Sequence, residues 1–247
     1  QKEIKDLKSR GLEDFKIKKP YRDRSWTQIN ASNSWAIFRI MSEFVDAYEN
    51  MNKIGPCVSV FGSARTKKTA KHYKMAVNIS ERLVEEGYGV ITGGGPGIME
   101  AANKGAKKAG GKSVGLNIEL QHEQGHNEFI DSDKIINFHY FFVRKVALVK
   151  YAQAFVFFPG GFGTMDEVFE VITLVQTKKI DRIPLVFIGV SYWSGLLKWI
   201  KGTMLDRHNY IKEGDLELFL LTDDTEEAVN YINAFYDQPN HTMSPNF

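Results

Sequence analysis

The sequence has a single cysteine, Cys57, which excludes any intrachain disulfide framework and fits a reducing, cytoplasmic setting. Its six histidines are scattered, and His122 and His126, which share a polar loop, read as surface residues rather than metal ligands. No apolar run is long enough to cross a bilayer. Charge of one sign is not in excess either. Lys and Arg number 32 against 30 Asp and Glu, a net charge of +2, which argues against nucleic-acid or membrane partners recruited by global charge. The first residues are charged and show no signal peptide. Three catalytic signatures are also missing. There is no G-x-S-x-G nucleophile elbow and no G-x-x-x-x-G-K-[ST] phosphate loop. The dinucleotide fingerprint G-x-G-x-x-G fails because Gly93 and Gly95 are followed by Ile98, and Gly95 and Gly97 by Glu100.

What is present is an ordinary globular composition, 43% apolar and 25% charged, in 247 residues, enough for one large α/β domain. Residues 1–30 read as a charged, solvated arm ahead of a domain over 31–247. Ser32 or Ser34 would cap a helix carrying Trp35, Phe38, Met41, Phe44 or Val45, Tyr48 and Met51 on a face expected to pack within the chain, closed by Gly55-Pro56. Apolar strand-like runs then alternate with helical patterns: strands near 57–61, 89–92, 113–118, 134–138, 154–158, 184–189 and 218–222. Continuous apolar strands separated by helices predict a mostly parallel, doubly wound sheet of about seven strands with helices on both faces.

Right-handed crossovers bring every strand's C-terminal end to one edge of such a sheet, where ligands bind. Three glycine-bearing loops would lie there: Gly62-Ser63-Ala64-Arg65, Gly93 to Gly97, and Pro159-Gly160-Gly161-Phe162-Gly163-Thr164. Glycines let a ligand approach the backbone, and a helix N-terminus favours an anion. Thr164-x-x-Glu167 also has the spacing of a capping box, which by itself needs no ligand; the stretch is read as both, a cap that orders the helix start and a glycine loop open to phosphate. Three such loops in one chain favour a phosphate-bearing ligand, a mononucleotide or sugar phosphate. Asp166, Glu167 and Glu170 follow the last loop, and Glu100 the second. Carboxylates beside a phosphate would face another part of the ligand, such as ribose hydroxyls or a cationic transition state. Arg144 and Lys145 sit in an otherwise apolar helix. A basic residue there reaches the pocket or pairs with a neighbouring carboxylate; pocket is the reading taken for Arg144 and ion pair for Lys145. Cys57 reads as core.

Gly93-Gly94-Gly95-Pro96-Gly97-Ile98-Met99-Glu100, Arg144-Lys145 and Pro159-Gly160-Gly161-Phe162-Gly163-Thr164-Met165-Asp166-Glu167 resemble the motifs of the LOG ("Lonely Guy") family of nucleoside 5′-monophosphate phosphoribohydrolases, in its longer bacterial branch. The resemblance runs from about Trp35 to Tyr236. It implies cleavage of the N-glycosidic bond of an AMP-like nucleotide, including cytokinin riboside monophosphates, to free base and ribose 5-phosphate. It implies no cofactor and a homodimer. By motif position it makes Arg144 and Glu167 catalytic. It makes Gly62, Ser63, Arg65, Gly94, Gly95, Gly97, Glu100, Lys145, Gly160, Gly161, Gly163 and Thr164 substrate-binding, with Glu100 on the ribose hydroxyls. Short plant-like members carry glycine where Glu100 stands. The alternative on the same fold is a nucleotide carrier or regulatory protein without turnover.

Overall fold

The computed structural model describes residues 26–119 and 125–247; His122 and residues 1–25 of the charged arm lie outside them. Helix α1 spans Trp26–Met51. It starts ahead of the expected Ser32 or Ser34 cap, because no glycine or proline interrupts the chain from Trp26 onwards. Of the face expected to pack within the chain, Trp35, Phe38, Met41 and Val45 are exposed, whereas Met51 is buried and Tyr48 meets the Tyr151 ring edge-on at 6.2 Å. The chain divides after Glu43, and the second unit, Phe44–Phe247, contains the whole sheet.

The strands are β1 (Cys57–Phe61), β2 (Gly89–Thr92), β3 (Ser113–Ile118), β4 (Ile135–Phe138), β5 (Ala152–Phe157), β6 (Leu185–Ile188) and β7 (Phe219–Thr222). Between them run α2 (Lys71–Glu85), α3 (Ile98–Lys108), α4 (Phe141–Lys150), α5 (Phe162–Gln176) and α6 (Val190–Trp199). A π-helical turn, Ile200–Leu205, prolongs α6, and α7 (Thr225–Tyr236) follows β7. All seven strands pair in parallel, in the order β4-β3-β2-β1-β5-β6-β7. The chain winds outward from β1 to β4, then returns to place β5 on the other side of β1. That reversal fixes where a crevice opens.

Strand residues alternate between two dry layers. Val58, Val60, Ala154, Val156, Val186 and Ile188 face a core completed by Ile79 and Leu83 of α2, Ala101 and Ala102 of α3, and Val229 and Ile232 of α7. The opposite face is aromatic. Phe61 stacks on Phe157 at 5.6 Å, Phe157 lies 5.3 Å from Phe187, and Phe187 meets Trp193 of α6 edge-on at 4.8 Å. A register shift between Cys57 and Val58 in the β1–β5 pair keeps the two alternations in phase after Gln153. Cys57 is a core residue, its thiol pushed up to about 12 chiefly by burial.

Candidate active site

The loops after β1 and β5 meet at the reversal, and Ser63 joins them through its backbone. Its N–H donates to the Pro159 carbonyl at 3.0 Å, and its carbonyl accepts from the Ile98 N–H at 3.1 Å. One residue thus ties all three glycine loops into a single rim. Gly97 makes this possible: it has φ +68°, and a Cβ there would lie 2.3 Å from the Ser63 carbonyl oxygen. Behind the second loop stands a buried polar network. Thr92 Oγ1 donates to Asn103 Oδ1 at 2.6 Å, and Asn103 Nδ2 donates to Ser113 Oγ at 2.9 Å. Asn127 Nδ2 reaches Asn103 Oδ1 at 2.9 Å and the carbonyls of Gly94 and Gly95 at 3.0 and 3.1 Å. Such a network holds a loop only when its members are satisfied together.

The rim encloses a cleft of about 890 Å³. Of the residues predicted from sequence, Gly62, Ser63, Arg65, Gly95, Arg144, Gly160, Gly161, Gly163, Thr164 and Glu167 line it. Four do not. Gly94 (φ +78°) packs under Asn117, whose Oδ1 would lie 1.5 Å from an added Cβ, and Gly97 is spent on the loop contact just described. Glu100 turns away from the cleft. Its Oε1 accepts from Tyr73 Oη and pairs with Lys68 Nζ, both at 2.7 Å. Burial pushes its carboxyl up, but these hydrogen bonds and the lysine charges outweigh that and hold it below the usual range. Glu100 is thus engaged with Tyr73 and Lys68 and does not line the cleft, where the ribose contact was expected of it. Lys145 lies on the far side of α5, paired with Asp166 at 2.9 Å and Glu170 at 2.7 Å. That is the ion-pair arrangement, and Lys145 does not line the cleft. Asn117, Asn127 and Tyr192 were not picked out from sequence. Polar residues in or beside loops carry no spacing signal that distinguishes them.

The capping box is not formed. Helix α5 begins at Phe162 with Gly161 as N-cap and no side-chain cap, so Thr164 is already the third helical residue. The first helical hydrogen bond runs from Met165 N–H to the Gly161 carbonyl at 3.1 Å. The N–H groups of Gly161, Phe162, Gly163 and Thr164 are thereby left open at the cleft, the positive end of the helix dipole. Gly161 and Gly163 have negative or helical φ, and a Cβ on either would meet nothing within 4 Å. The fold does not require glycine at these two positions; the space they leave belongs to the cleft. Open donors and open space together define an anion seat.

One turn into α5, Glu167 is 3% exposed, lines the same cleft, and its Oε2 has no hydrogen-bond partner among the described residues. Burial raises its carboxyl from 4.5 to about 7; Lys145 and Arg144 act against that rise, and Glu170 and Asp166 add to it. Arg144, from α4, packs under the Phe141 ring at 5.5 Å and reaches the Gly93 turn. Among the described residues no group of three or more His, Cys, Asp or Glu side chains is arranged to hold a metal ion. The site therefore combines an anion seat, a guanidinium and a buried carboxyl poised near neutrality, the makings of acid–base chemistry on a phosphorylated substrate.

An α/β protein with a phosphate-type seat at its switch point is the class that fold and site define. The profile of the family described as "Possible lysine decarboxylase" matches residues 99–232. Rice cytokinin riboside 5′-monophosphate phosphoribohydrolase LOG is 31% identical over 197 residues, 74% of this chain and 79% of its own length. The Mycobacterium tuberculosis cytokinin riboside 5′-monophosphate phosphoribohydrolase is 26% identical, over 65% of this chain and 84% of its own. The match to rice LOGL5, a probable enzyme of the same description, is 31% identical and spans 58% of each chain. The chain belongs to this family, the LOG family. Among solved structures, the molybdenum cofactor carrier protein of Chlamydomonas reinhardtii shares the fold with TM-score 0.53 and 23% identity, over 74% of this chain and 99% of its own. The molybdenum cofactor binding protein of Rippkaea orientalis does so with TM-score 0.51 and 19% identity, over 73% and 95%.

Proposed function

We propose that this protein hydrolyses the N-glycosidic bond of purine nucleoside 5′-monophosphates, releasing the free base and ribose 5-phosphate. The observation that carries this is Glu167, a buried carboxyl with an unpartnered oxygen in a cleft that also holds an anion seat. A cap or a structural ion pair would spend that oxygen; a reaction centre leaves it open. The 5′-phosphate sits on the open N–H groups of Gly161 to Thr164. As the bond from C1′ to the base breaks, positive charge develops on the ribose. Ionised Glu167 stabilises that charge and takes a proton from the attacking water, whose oxygen bonds to C1′. The departing base leaves with the bond's electron pair and is protonated in turn. Arg144 orients Glu167 or assists the leaving base. The protein works as a homodimer without a cofactor.

Incubation with AMP, read out as free adenine and ribose 5-phosphate by chromatography, tests the reading. Adenine release abolished in Glu167→Gln supports it. Tight AMP binding with no adenine released would sink it in favour of a nucleotide carrier. A panel of nucleoside monophosphates, including N6-modified adenines, then identifies the base.

A further inference from the structure

The anion seat is flanked by a residue from the neighbouring β6–α6 turn. Tyr192, in the first turn of α6, lines the cleft and donates its hydroxyl to the Gly160 carbonyl at 2.5 Å. Its base is rigid. Gly189 takes φ +108°, and its bare Cα lets the turn press on the β5 loop, since a Cβ would lie 2.9 Å from Pro159 Cγ. The Tyr192 N–H returns to the Gly189 carbonyl at 2.9 Å. Trp193, fully buried, donates its indole N–H to the Ile188 carbonyl at 3.0 Å.

The hydroxyl acts on a peptide that has little else to hold it. The bond from Gly160 to Gly161 has glycine on both sides, so few steric barriers oppose rotation of its plane. In a trans peptide the C=O and N–H point in opposite directions. One orientation adds the Gly161 N–H to the open donors of α5. The flipped orientation puts a carbonyl oxygen in its place, which repels an anion. With the carbonyl taken up by Tyr192, the N–H side is turned away from α6. The Pro159 carbonyl just before it is already taken by Ser63. The cleft is built for a ligand independently of this helix end, because Glu167 leaves its unpartnered oxygen there.

We infer that Tyr192 is a positioning residue, a latch that keeps the Gly160–Gly161 peptide turned so that its N–H meets the substrate's 5′-phosphate. This rests on the phosphate placement proposed above. Tyr192→Phe removes the hydroxyl and keeps the ring against Trp193, which it meets edge-on at 4.9 Å. Wild type and Tyr192→Phe are titrated calorimetrically with ribose 5-phosphate, AMP and adenosine, and assayed for adenine release. Losing one well-placed donor to a charged group weakens both phosphate ligands about tenfold. Adenosine binding stays level, and KM for AMP rises by a similar factor with kcat within about twofold. Equal weakening of all three ligands would make Tyr192 a general prop and overturn the latch. Unchanged ribose 5-phosphate affinity in the variant would overturn the latch and leave the phosphate seat standing. A wild type that does not bind ribose 5-phosphate would overturn the seat and the latch with it.

Discussion

Glu167 is held in a state the fold alone would not choose. Its carboxyl titrates at about 7 in the folded chain against 4.5 as the reference, with burial as the main cause. A raised carboxyl contributes stability that is fully present below pH 4.5 and lost as pH climbs through about 7. Above that pH the folded protein carries a buried anion at a cost of the order of 3 kcal/mol. Glu167→Gln removes that cost. Its melting temperature should exceed that of wild type by several degrees at pH 8 and by little at pH 5, read by calorimetry at both pH values. The same variant should lose about 10²–10⁴ in adenine release. If Glu167 were a structural partner, the substitution would destabilise the protein and leave turnover intact. The ionised form is the one that acts on water, so wild-type kcat/KM should rise with pH through an apparent value near 7. Any residual activity of the variant should lack that limb.

At the scale of the element, the N-terminus of α5 is where sequence and structure differ most usefully. The glycine-rich stretch was legible because few folding needs put three glycines into five residues at a strand–helix junction. The helix start was not. Gly163 has poor helix propensity and disguises Phe162–Thr164 as loop, so Thr164 and Glu167 take on capping-box spacing two residues inside the helix. The contacts of Glu100 were hidden for a related reason. Its place in the motif was visible, but its direction depends on Tyr73 and Lys68, 27 and 32 residues earlier, which no local pattern reveals. Tyr192 meets Gly160 across 32 residues and was hidden likewise. The open space at Gly163 yields a test that separates fold from function. Gly163→Ala gains roughly 0.5–1 kcal/mol as a helical residue and meets no protein atom within 4 Å. Thermal melting should show a more stable protein, while KM for AMP rises at least severalfold as the methyl intrudes on the phosphate. Asn127→Ala should show the opposite pairing. It removes the side-chain bonds to the Gly94 and Gly95 carbonyls and to Asn103 Oδ1, leaving Gly94 only the backbone N–H of residue 127 and Asn103 Oδ1 only Thr92, so it should lose about 1–3 kcal/mol of stability along with substrate affinity.

For the whole molecule, the parallel order was legible because alternating apolar runs and helices admit few other arrangements, and the reversal at β1 and β5 then places the cleft. What surrounds that cleft was not legible, since exposure is a property of the folded surface. Helices α4 and α5 supply Arg144 and Glu167, and the same two helices expose Phe141, Phe142, Phe162 and Phe169. Phe162 is 95% exposed beside the anion seat. Apolar side chains gathered on the elements that carry the chemistry are the expected mark of a surface that another subunit covers. Light scattering on the purified chain should therefore give twice 28.1 kDa, about 56 kDa. Phe162→Ser with Phe169→Ser should shift that mass toward the monomer and lower adenine release, because a cleft opened to water loses the low-dielectric setting that keeps Glu167 near neutrality. A double variant that stays dimeric with full activity would place the subunit contact elsewhere. A wild type that is monomeric at assay concentration and fully active would show that one chain holds the complete site.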